Sequence, residues 1–116
     1  MSRILLVDDD EYMRDSLEQL LVREGYEVES AKDGVEALEK FDKTQFDLVI
    51  TDIYMPTVDG IKLIISLRDR NPRAKIICMS GGHRAFRSAD LNFARELGAH
   101  DIITKPFSSR ILLAKV

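Results

Sequence analysis

Short apolar runs alternate along the chain with longer segments of helical period, and this alternation constrains the fold more than any other feature. The continuously apolar runs cover residues 4–7, 48–50, 76–79 and 102–103. Strands that are buried on both faces are apolar in this way, and they occur in parallel sheets covered by helices. An alternation of such strands with helices is typical of α/β proteins. We therefore predict a parallel sheet with helices on both faces.

The remaining segments complete this pattern. Residues 27–31 alternate polar and apolar side chains, as a strand with one solvated face does, so we place this fifth strand at the sheet edge. Apolar spacing predicts four helices: one from Met13 to a stop at Gly25, one capped by Asp33, one ending before Asn71, and one closed by Gly98. A fifth helix is predicted to begin near Ser108 or Ser109. Right-handed crossovers leave few ways to wind the resulting (βα)₅ doubly wound, five-stranded parallel sheet.

Composition narrows the class of protein. The 116 residues are 45% apolar and 32% charged, which suits one folded domain covering residues 1–116. The net charge of -3 offers little attraction for nucleic acid, so we expect no direct nucleic-acid binding. The single cysteine, Cys78, excludes an internal disulfide and a cysteine-based zinc site and favours a reducing cytoplasm. No apolar run approaches the roughly 20 residues that span a bilayer, and the N-terminal run is too short for a signal peptide. We expect a cytoplasmic protein that does not enter membranes.

Polar residues follow four of the predicted strands, at residues 8–10, Asp52, 80–82 and 105–106. Doubly wound sheets bind ligands at the carboxyl ends of their strands, so we expect these residues to converge. Carboxylates that converge repel one another and must either hold protons or be neutralised by a cation. Mg²⁺ prefers oxygen ligands and commonly binds carboxylates together with a phosphate. Asp8, Asp9 and Asp52 are therefore the predicted Mg²⁺ ligands, with Mn²⁺ as an alternative ion.

The same group of residues predicts phosphoryl chemistry. An aspartate held beside a cation forms an acyl phosphate when a phosphoryl donor approaches in line, and Asp52 is best placed for this role. Lys105 adds a compact positive charge and Ser80 a hydroxyl donor for phosphoryl oxygens. Taken singly, each feature has an ordinary explanation: the acidic triplet as a solvated turn with a helix cap, and residues 105–106 as a loop. Their joint occurrence at successive strand ends favours a site.

Several motifs carry a family resemblance. They are the strand and acid pair at 4–9, the acceptor segment at 47–56 with Asp59-Gly60 after it, Ser80-Gly81, Gly98-Ala99, and Lys105-Pro106-Phe107. Across nearly the whole chain these motifs resemble the receiver domain of bacterial two-component response regulators, similar to chemotaxis regulators. The resemblance implies the flavodoxin-like sheet, with strand order 2-1-3-4-5.

The resemblance also implies roles for individual residues. It makes Asp52 the phosphorylation site, gives Asp9 and Asp52 direct contacts to Mg²⁺, and gives Asp8 a contact that is direct or through water. The main-chain carbonyl of Tyr54 would be a further protein ligand. Ser80 and Lys105 would contact the phosphoryl group. The Lys105–Pro106 peptide would be cis, a form that X–Pro bonds adopt at low cost.

One position departs from the family pattern. Many relatives carry a Tyr or Phe three residues before the lysine, where the ring rotates inward on activation, and this chain has Ile102. An aliphatic side chain cannot move a ring between two sites. We therefore expect the switch to operate mainly through Ser80 and the loop that follows it.

The resulting hypothesis is a regulatory module without enzymatic activity beyond self-phosphorylation and slow autodephosphorylation. It would receive its phosphoryl group from a sensor histidine kinase or a phosphotransfer protein and would act on an output protein or a fused effector domain. A homodimer through the face of the fourth helix, fifth strand and fifth helix is a further expectation. Two alternatives are a receiver that scaffolds without phosphorylation and an aspartate-nucleophile phosphatase. The phosphatases carry an Asp-x-Asp-x-Thr sequence after the first strand and a cap domain, whereas this chain has Asp-Asp-Asp-Glu at residues 8–11.

Overall fold

A computed structural model describes residues 2–52, 60–80 and 101–104, with the backbone alone for 60, 61, 80 and 101–104. The elements in chain order are β1 (Arg3–Val7), α1 (Glu11–Arg23), β2 (Glu27–Ala31), α2 (Gly34–Lys43), β3 (Leu48–Asp52), α3 (Gly60–Arg70), β4 (Lys75–Ser80) and β5 (Asp101–Thr104). The fourth and fifth helices of the sequence prediction lie outside the described residues. None of the described helices is long and apolar enough to cross a membrane.

The strands form one sheet in the order β2-β1-β3-β4-β5, and each neighbouring pair is parallel. This order confirms the predicted flavodoxin-like arrangement and the place of β2 at an edge. The chain starts at β1 near the middle and winds outward in both directions, so the winding direction reverses between β1 and β3. Doubly wound sheets bind their ligands at such a reversal, beyond the carboxyl ends of the strands.

Two apolar cores lie on opposite faces of the sheet, because successive side chains of a strand point to opposite faces. On one face α1 contributes Leu17 and Leu21 to a cluster with the strand residues Ile4, Leu6, Leu48, Ile50, Ile77 and Met79. On the other face α2 and α3 contribute Ala37, Leu63, Ile64 and Leu67 to a cluster with Leu5, Val7, Val49, Ile76 and Cys78, among others. The central strands are therefore fixed from both sides, and all of β3 is buried.

The predicted helix boundaries at Gly25 and Asp33 lie among the described residues, and both are present. The side chain of Asp33 accepts a hydrogen bond of 2.9 Å from the Glu36 N–H at the start of α2. At the end of α1, Gly25 has a φ of 97°, in the left-handed region that glycine adopts without strain. Glu24, which the spacing included in the first helix, is instead its C-cap.

Two strands extend further than their apolar runs. The apolar runs end at residues 50 and 79, whereas β3 continues to Asp52 and β4 to Ser80. Parallel pairing joins backbone groups and does not depend on an apolar side chain, so the ladder continues past the last apolar residue. As a result Asp52 belongs to a paired strand and not to the loop after it.

Candidate metal centre

Three carboxylates meet at the carboxyl end of the two central strands. β1 and β3 pair with Val7 opposite Thr51, so the acids that follow these residues come side by side. Asp8, Asp9 and Asp52 each offer a carboxylate oxygen, and these oxygens all lie within 4.8 Å of one another. Asp8 is fully buried, Asp52 is 9% exposed, and Asp9 is exposed. The cluster therefore has two fixed, buried members and one open to solvent.

The main chain and side chain of Asp8 are both held by hydrogen bonds. Its N–H donates to the Ala31 carbonyl of the neighbouring edge strand at 3.2 Å. Its main-chain carbonyl accepts a bond of 2.8 Å from Nη1 of Arg14, and its carboxylate Oδ1 accepts a bond of 3.0 Å from the N–H of Asp10. A buried carboxylate that is oriented in this way can present an oxygen to a ligand with little loss of entropy on binding.

Asp52 is positioned by the strand to which it belongs. Its backbone pairs with β4 opposite Met79, and the hydroxyl of Thr51 donates a 3.0 Å hydrogen bond to its main-chain carbonyl. The carboxylate is therefore attached to a buried strand, and Asp52 is only 9% exposed. Sites built on strands hold their geometry more closely than sites on loops.

The register of the next strands shows what else lies at this edge. Ser80 follows Met79 on β4, so its backbone lies one step beyond the level of Asp52, and it pairs with Thr104 of β5. The sequence prediction that the ends of these strands converge is thus confirmed for their backbones. The predicted roles of the Ser80 and Ile102 side chains, and of Tyr54, Lys105 and the Lys105–Pro106 peptide, lie outside what the structure describes.

The acidic triplet of the sequence divides into two functions. Asp10 is the N-cap of α1, where its carboxylate accepts a 3.3 Å hydrogen bond from the Met13 N–H. Only Asp8 and Asp9 join Asp52 in the cluster. The ordinary explanation by a helix cap is therefore right for the third acid, and the predicted grouping is right for the first two.

The carboxylate cluster has a buried neighbour on the next strand. Cys78 lies on β4 opposite Thr51 of β3, and it is fully buried. Burial, and secondarily the negative charge of Asp52, raises the pKa of the Cys78 thiol to about 12. A thiol in such surroundings stays protonated at neutral pH, so Cys78 is an unreactive core residue.

The donor set suits a hard divalent cation. All three side chains supply carboxylate oxygens, and Mg²⁺ binds such oxygens while keeping several of its waters. The exposed position of Asp9 leaves room for those waters and for a ligand from solution. Three carboxylates so close together also repel one another, so a bound cation would relieve a strain that the fold builds in.

The model for the response regulator receiver domain matches residues 4–116. The chain belongs to the response regulator receiver family. The receiver is 39% identical over 114 residues to the alkaline phosphatase synthesis transcriptional regulatory protein PhoP of Bacillus subtilis. That match covers 98% of the receiver and 46% of PhoP, so the chain spans less than half of this longer regulator.

Solved structures agree with the assignment. The chemotaxis protein CheY4 of Vibrio cholerae has a TM-score of 0.90 and 31% identity, with 99% of this chain and 95% of that chain covered. The response regulator TrrA of Thermotoga maritima, solved in complex with Mg²⁺-BeF, has a TM-score of 0.87 and 36% identity, with 99% and 96% covered. The alternative of an aspartate-nucleophile phosphatase has no support from these findings.

Sequence reasoning missed two residues that position the site of this receiver. Thr51 holds the carbonyl of Asp52, and Arg14 holds the carbonyl of Asp8. Threonine immediately before the acceptor could have been noted as a residue able to bond the adjacent backbone. Nothing in the helical spacing distinguishes Arg14 from the other polar residues of α1, because its bond goes back to a loop outside the helix.

Proposed function

We propose that this chain, residues 1–116, is a Mg²⁺-dependent phosphoacceptor domain in which Asp52 accepts a phosphoryl group. The observation that carries the proposal is the approach of the three carboxylate oxygens to within 4.8 Å, at the end of a buried strand. The complex of the similar protein TrrA with Mg²⁺-BeF supports the choice of ion. Mn²⁺ has the same preference for oxygen ligands and is the proposed substitute.

The chemical step is a displacement at phosphorus. A carboxylate oxygen of Asp52 forms a bond to the phosphorus atom, the bond from phosphorus to the donor breaks, and the donor leaves with the electron pair. The product is an acyl phosphate, and attack by water later releases inorganic phosphate and restores the carboxylate. The bound ion supplies neutralisation of the carboxylates and of the phosphoryl oxygens.

The protein residues have distinct roles in this step. Asp8, Asp9 and Asp52 would hold the ion, with the main-chain carbonyl of Tyr54 as a further ligand. Ser80 and Lys105 would contact the phosphoryl oxygens, with the Lys105–Pro106 peptide in the cis form. The position of Ser80 one step beyond Asp52 along the neighbouring strand supports its part of this assignment.

The proposed biological setting is a two-component pathway in the cytoplasm. A sensor histidine kinase or a phosphotransfer protein would supply the phosphoryl group, and an output protein or a fused effector domain would respond. Relatives such as PhoP are more than twice as long as the matched segment, which supports an output domain in a longer chain. The switch would use Ser80 and the loop after it, with Ile102 in place of an aromatic residue. A homodimer through the face around β5 is the proposed assembly.

The intact mass of the protein after incubation with acetyl phosphate and Mg²⁺ tests this function. One phosphoryl group adds about 80 Da, as for any aspartyl phosphate. The proposal predicts that gain in the wild-type protein and its loss in Asp52→Asn or in the presence of a chelator. If folded, Mg²⁺-replete protein gains no mass from acetyl phosphate or from a phosphorylated histidine kinase, the function is a scaffold that does not need phosphorylation.

A further inference from the structure

We infer that Arg14 is a positioning residue for the cation site, acting through the main chain of Asp8. This inference rests on the proposed function, because it assigns a role within the same site. Arg14 lies in the first turns of α1, outside the carboxylate cluster, and its side chain is half-buried. Its guanidinium Nη1 donates a 2.8 Å hydrogen bond to the Asp8 carbonyl, a distance typical of a well-formed N–H···O bond.

Two hydrogen bonds connect α1 to Asp8, one from the Asp10 N–H and one from the Arg14 side chain. The N–H of Arg14 donates to the Asp10 carbonyl at 2.9 Å, which closes the first turn of the helix. The N–H of Asp10 in turn donates to the Asp8 carboxylate at 3.0 Å. The Arg14 side chain then completes a ring of hydrogen bonds by holding the Asp8 carbonyl. The helix and the buried carboxylate are thereby fixed relative to each other.

The guanidinium charge is directed at a carbonyl and not at a carboxylate. None of the ion pairs among the described residues includes Arg14. An arginine paired with Asp8 or Asp9 would occupy the oxygens that a cation needs and would compete with it. An arginine on the carbonyl instead orders the loop and does not itself occupy those oxygens. Partners that orient metal ligands in this way contribute about 10- to 100-fold to metal affinity.

A positioning role and a purely electrostatic role predict opposite changes in Mg²⁺ affinity when the Arg14 side chain is removed. A positive charge near the cluster repels Mg²⁺, so its removal alone would tighten binding. If Arg14 acts by ordering Asp8, its removal loosens the carboxylate and weakens binding. Arg14→Met keeps most of the apolar stem and removes both the charge and the donors. Arg14→Lys keeps the charge and one donor group and serves as the conservative rescue.

The experiment is isothermal titration calorimetry of MgCl₂ into metal-free protein at an ionic strength of about 0.1 M, where distant charges are largely screened. We expect Arg14→Met to raise the Mg²⁺ Kd about tenfold, and Arg14→Lys to recover part of that loss. Arg23→Met, at the exposed last turn of the same helix, removes an equal charge far from the site and should leave the Kd unchanged. The thermal midpoint of each metal-free protein shows that the variants fold.

The outcomes separate this inference from the proposed function. If the wild-type protein binds Mg²⁺ and Arg14→Met binds it equally or more tightly, the positioning role is overturned and the proposed function stands. A loss of metal-free stability without a change in Kd also overturns it, since the residue then only supports the helix. Should Arg14→Met fail to fold, Arg14→Ala, which also lacks the charge and the donors, replaces it, and an unchanged Kd in that variant has the same meaning. A wild-type protein that binds no Mg²⁺ overturns both.

Discussion

The carboxylate of Asp52 and the buried thiol of Cys78 are electrostatically coupled across the pair of strands β3 and β4. Cys78 lies opposite Thr51, the residue before Asp52, and is fully buried between the sheet and the helices on one face. Burial is the larger cause of its raised pKa, and the Asp52 charge adds to it. The acidic site is therefore built directly against a hydrophobic core, and a change of charge at its edge acts on a group inside that core.

This coupling predicts a specific dependence of stability on pH. The pKa of the Cys78 thiol rises from an ordinary value of 9.0 to about 12 in the folded protein. Between these values the unfolded chain releases a proton that the folded chain retains, so the free energy of unfolding falls as pH rises. The contribution is fully present below pH 9, and its loss approaches about 1.4 kcal/mol per pH unit above that.

Urea unfolding of the wild-type protein and of Cys78→Ala at several values between pH 8 and pH 10.5 measures this effect. Other groups titrate in the same range, but they contribute equally to both proteins. We expect the advantage of the wild-type protein over the variant to shrink steadily above pH 9. Parallel stability curves for the two proteins across this range would show that the thiol ionises as easily in the folded state as in the unfolded one.

The acidic triplet offers a matched set of variants for Mg²⁺ binding. Asp8→Asn and Asp9→Asn each remove one negative charge from the carboxylate cluster. Asp10→Asn also removes one negative charge, but from the neighbouring N-cap of α1, outside the cluster. Asparagine is as good an N-cap as aspartate, so the last variant also keeps α1 intact. We expect the Mg²⁺ Kd to rise about tenfold or more for the first two, since charge count tunes such sites, and to change little for the third.

Calorimetric titration of the three variants under one set of conditions provides the comparison. The sequence alone does not distinguish the third acid from the other two, so this experiment tests the division of the triplet seen in the structure. An equal loss of affinity in all three would mean that the net charge of the loop, and not the placement of particular oxygens, controls binding.

Repulsion within the cluster predicts that one variant gains stability while it loses function. Asp9 is exposed but lies within 4.8 Å of the other two carboxylate oxygens. Without Mg²⁺, Asp9→Asn should unfold at a higher urea concentration than the wild-type protein, because about 1 kcal/mol of repulsion is removed at this distance in water. With saturating Mg²⁺ the order should reverse, because the wild-type protein gains more from the bound ion. A wild-type protein that is more stable in both conditions contradicts this account of the cluster.

Much of the fold could be predicted from the pattern of apolar and polar residues in the sequence. Continuous apolar runs predicted the buried central strands, and the alternation at residues 27–31 predicted the edge strand, because burial on one or both faces leaves a direct trace in the sequence. Helix spacing was less exact. Helical spacing includes Val35 and Ile65 among the apolar positions of their helices, yet they are 43% and 42% exposed, while Ala37 and Leu63 are buried. Another apolar residue of the same helix can occupy the face that packs on the sheet, and helical spacing alone does not decide which apolar residue is buried.

Part of the site could likewise be predicted from the sequence, and part could not. Residues at the carboxyl ends of strands could be grouped in advance, since parallel strands end at a common edge, and the grouping of Asp8, Asp9 and Asp52 followed from this. The bond from Arg14 to Asp8 could not be predicted, because it depends on how the residues between β1 and α1 are arranged in space. Contacts of this kind depend on a three-dimensional path that has no periodic signature in the sequence.

The most direct test of the central claim is to locate the phosphoryl group. Protein incubated with acetyl phosphate and Mg²⁺ is treated with borohydride, which reduces an acyl phosphate to the alcohol and expels phosphate. An aspartate so converted becomes homoserine and weighs about 14 Da less, since its activated carboxyl carbon is the one reduced. Tandem mass spectrometry of the peptides should place this change on Asp52 alone and should show none in samples prepared with a chelator. Homoserine at Asp8 or Asp9, or at no aspartate in a protein that gained a phosphoryl group, would contradict the assignment of Asp52 as the acceptor.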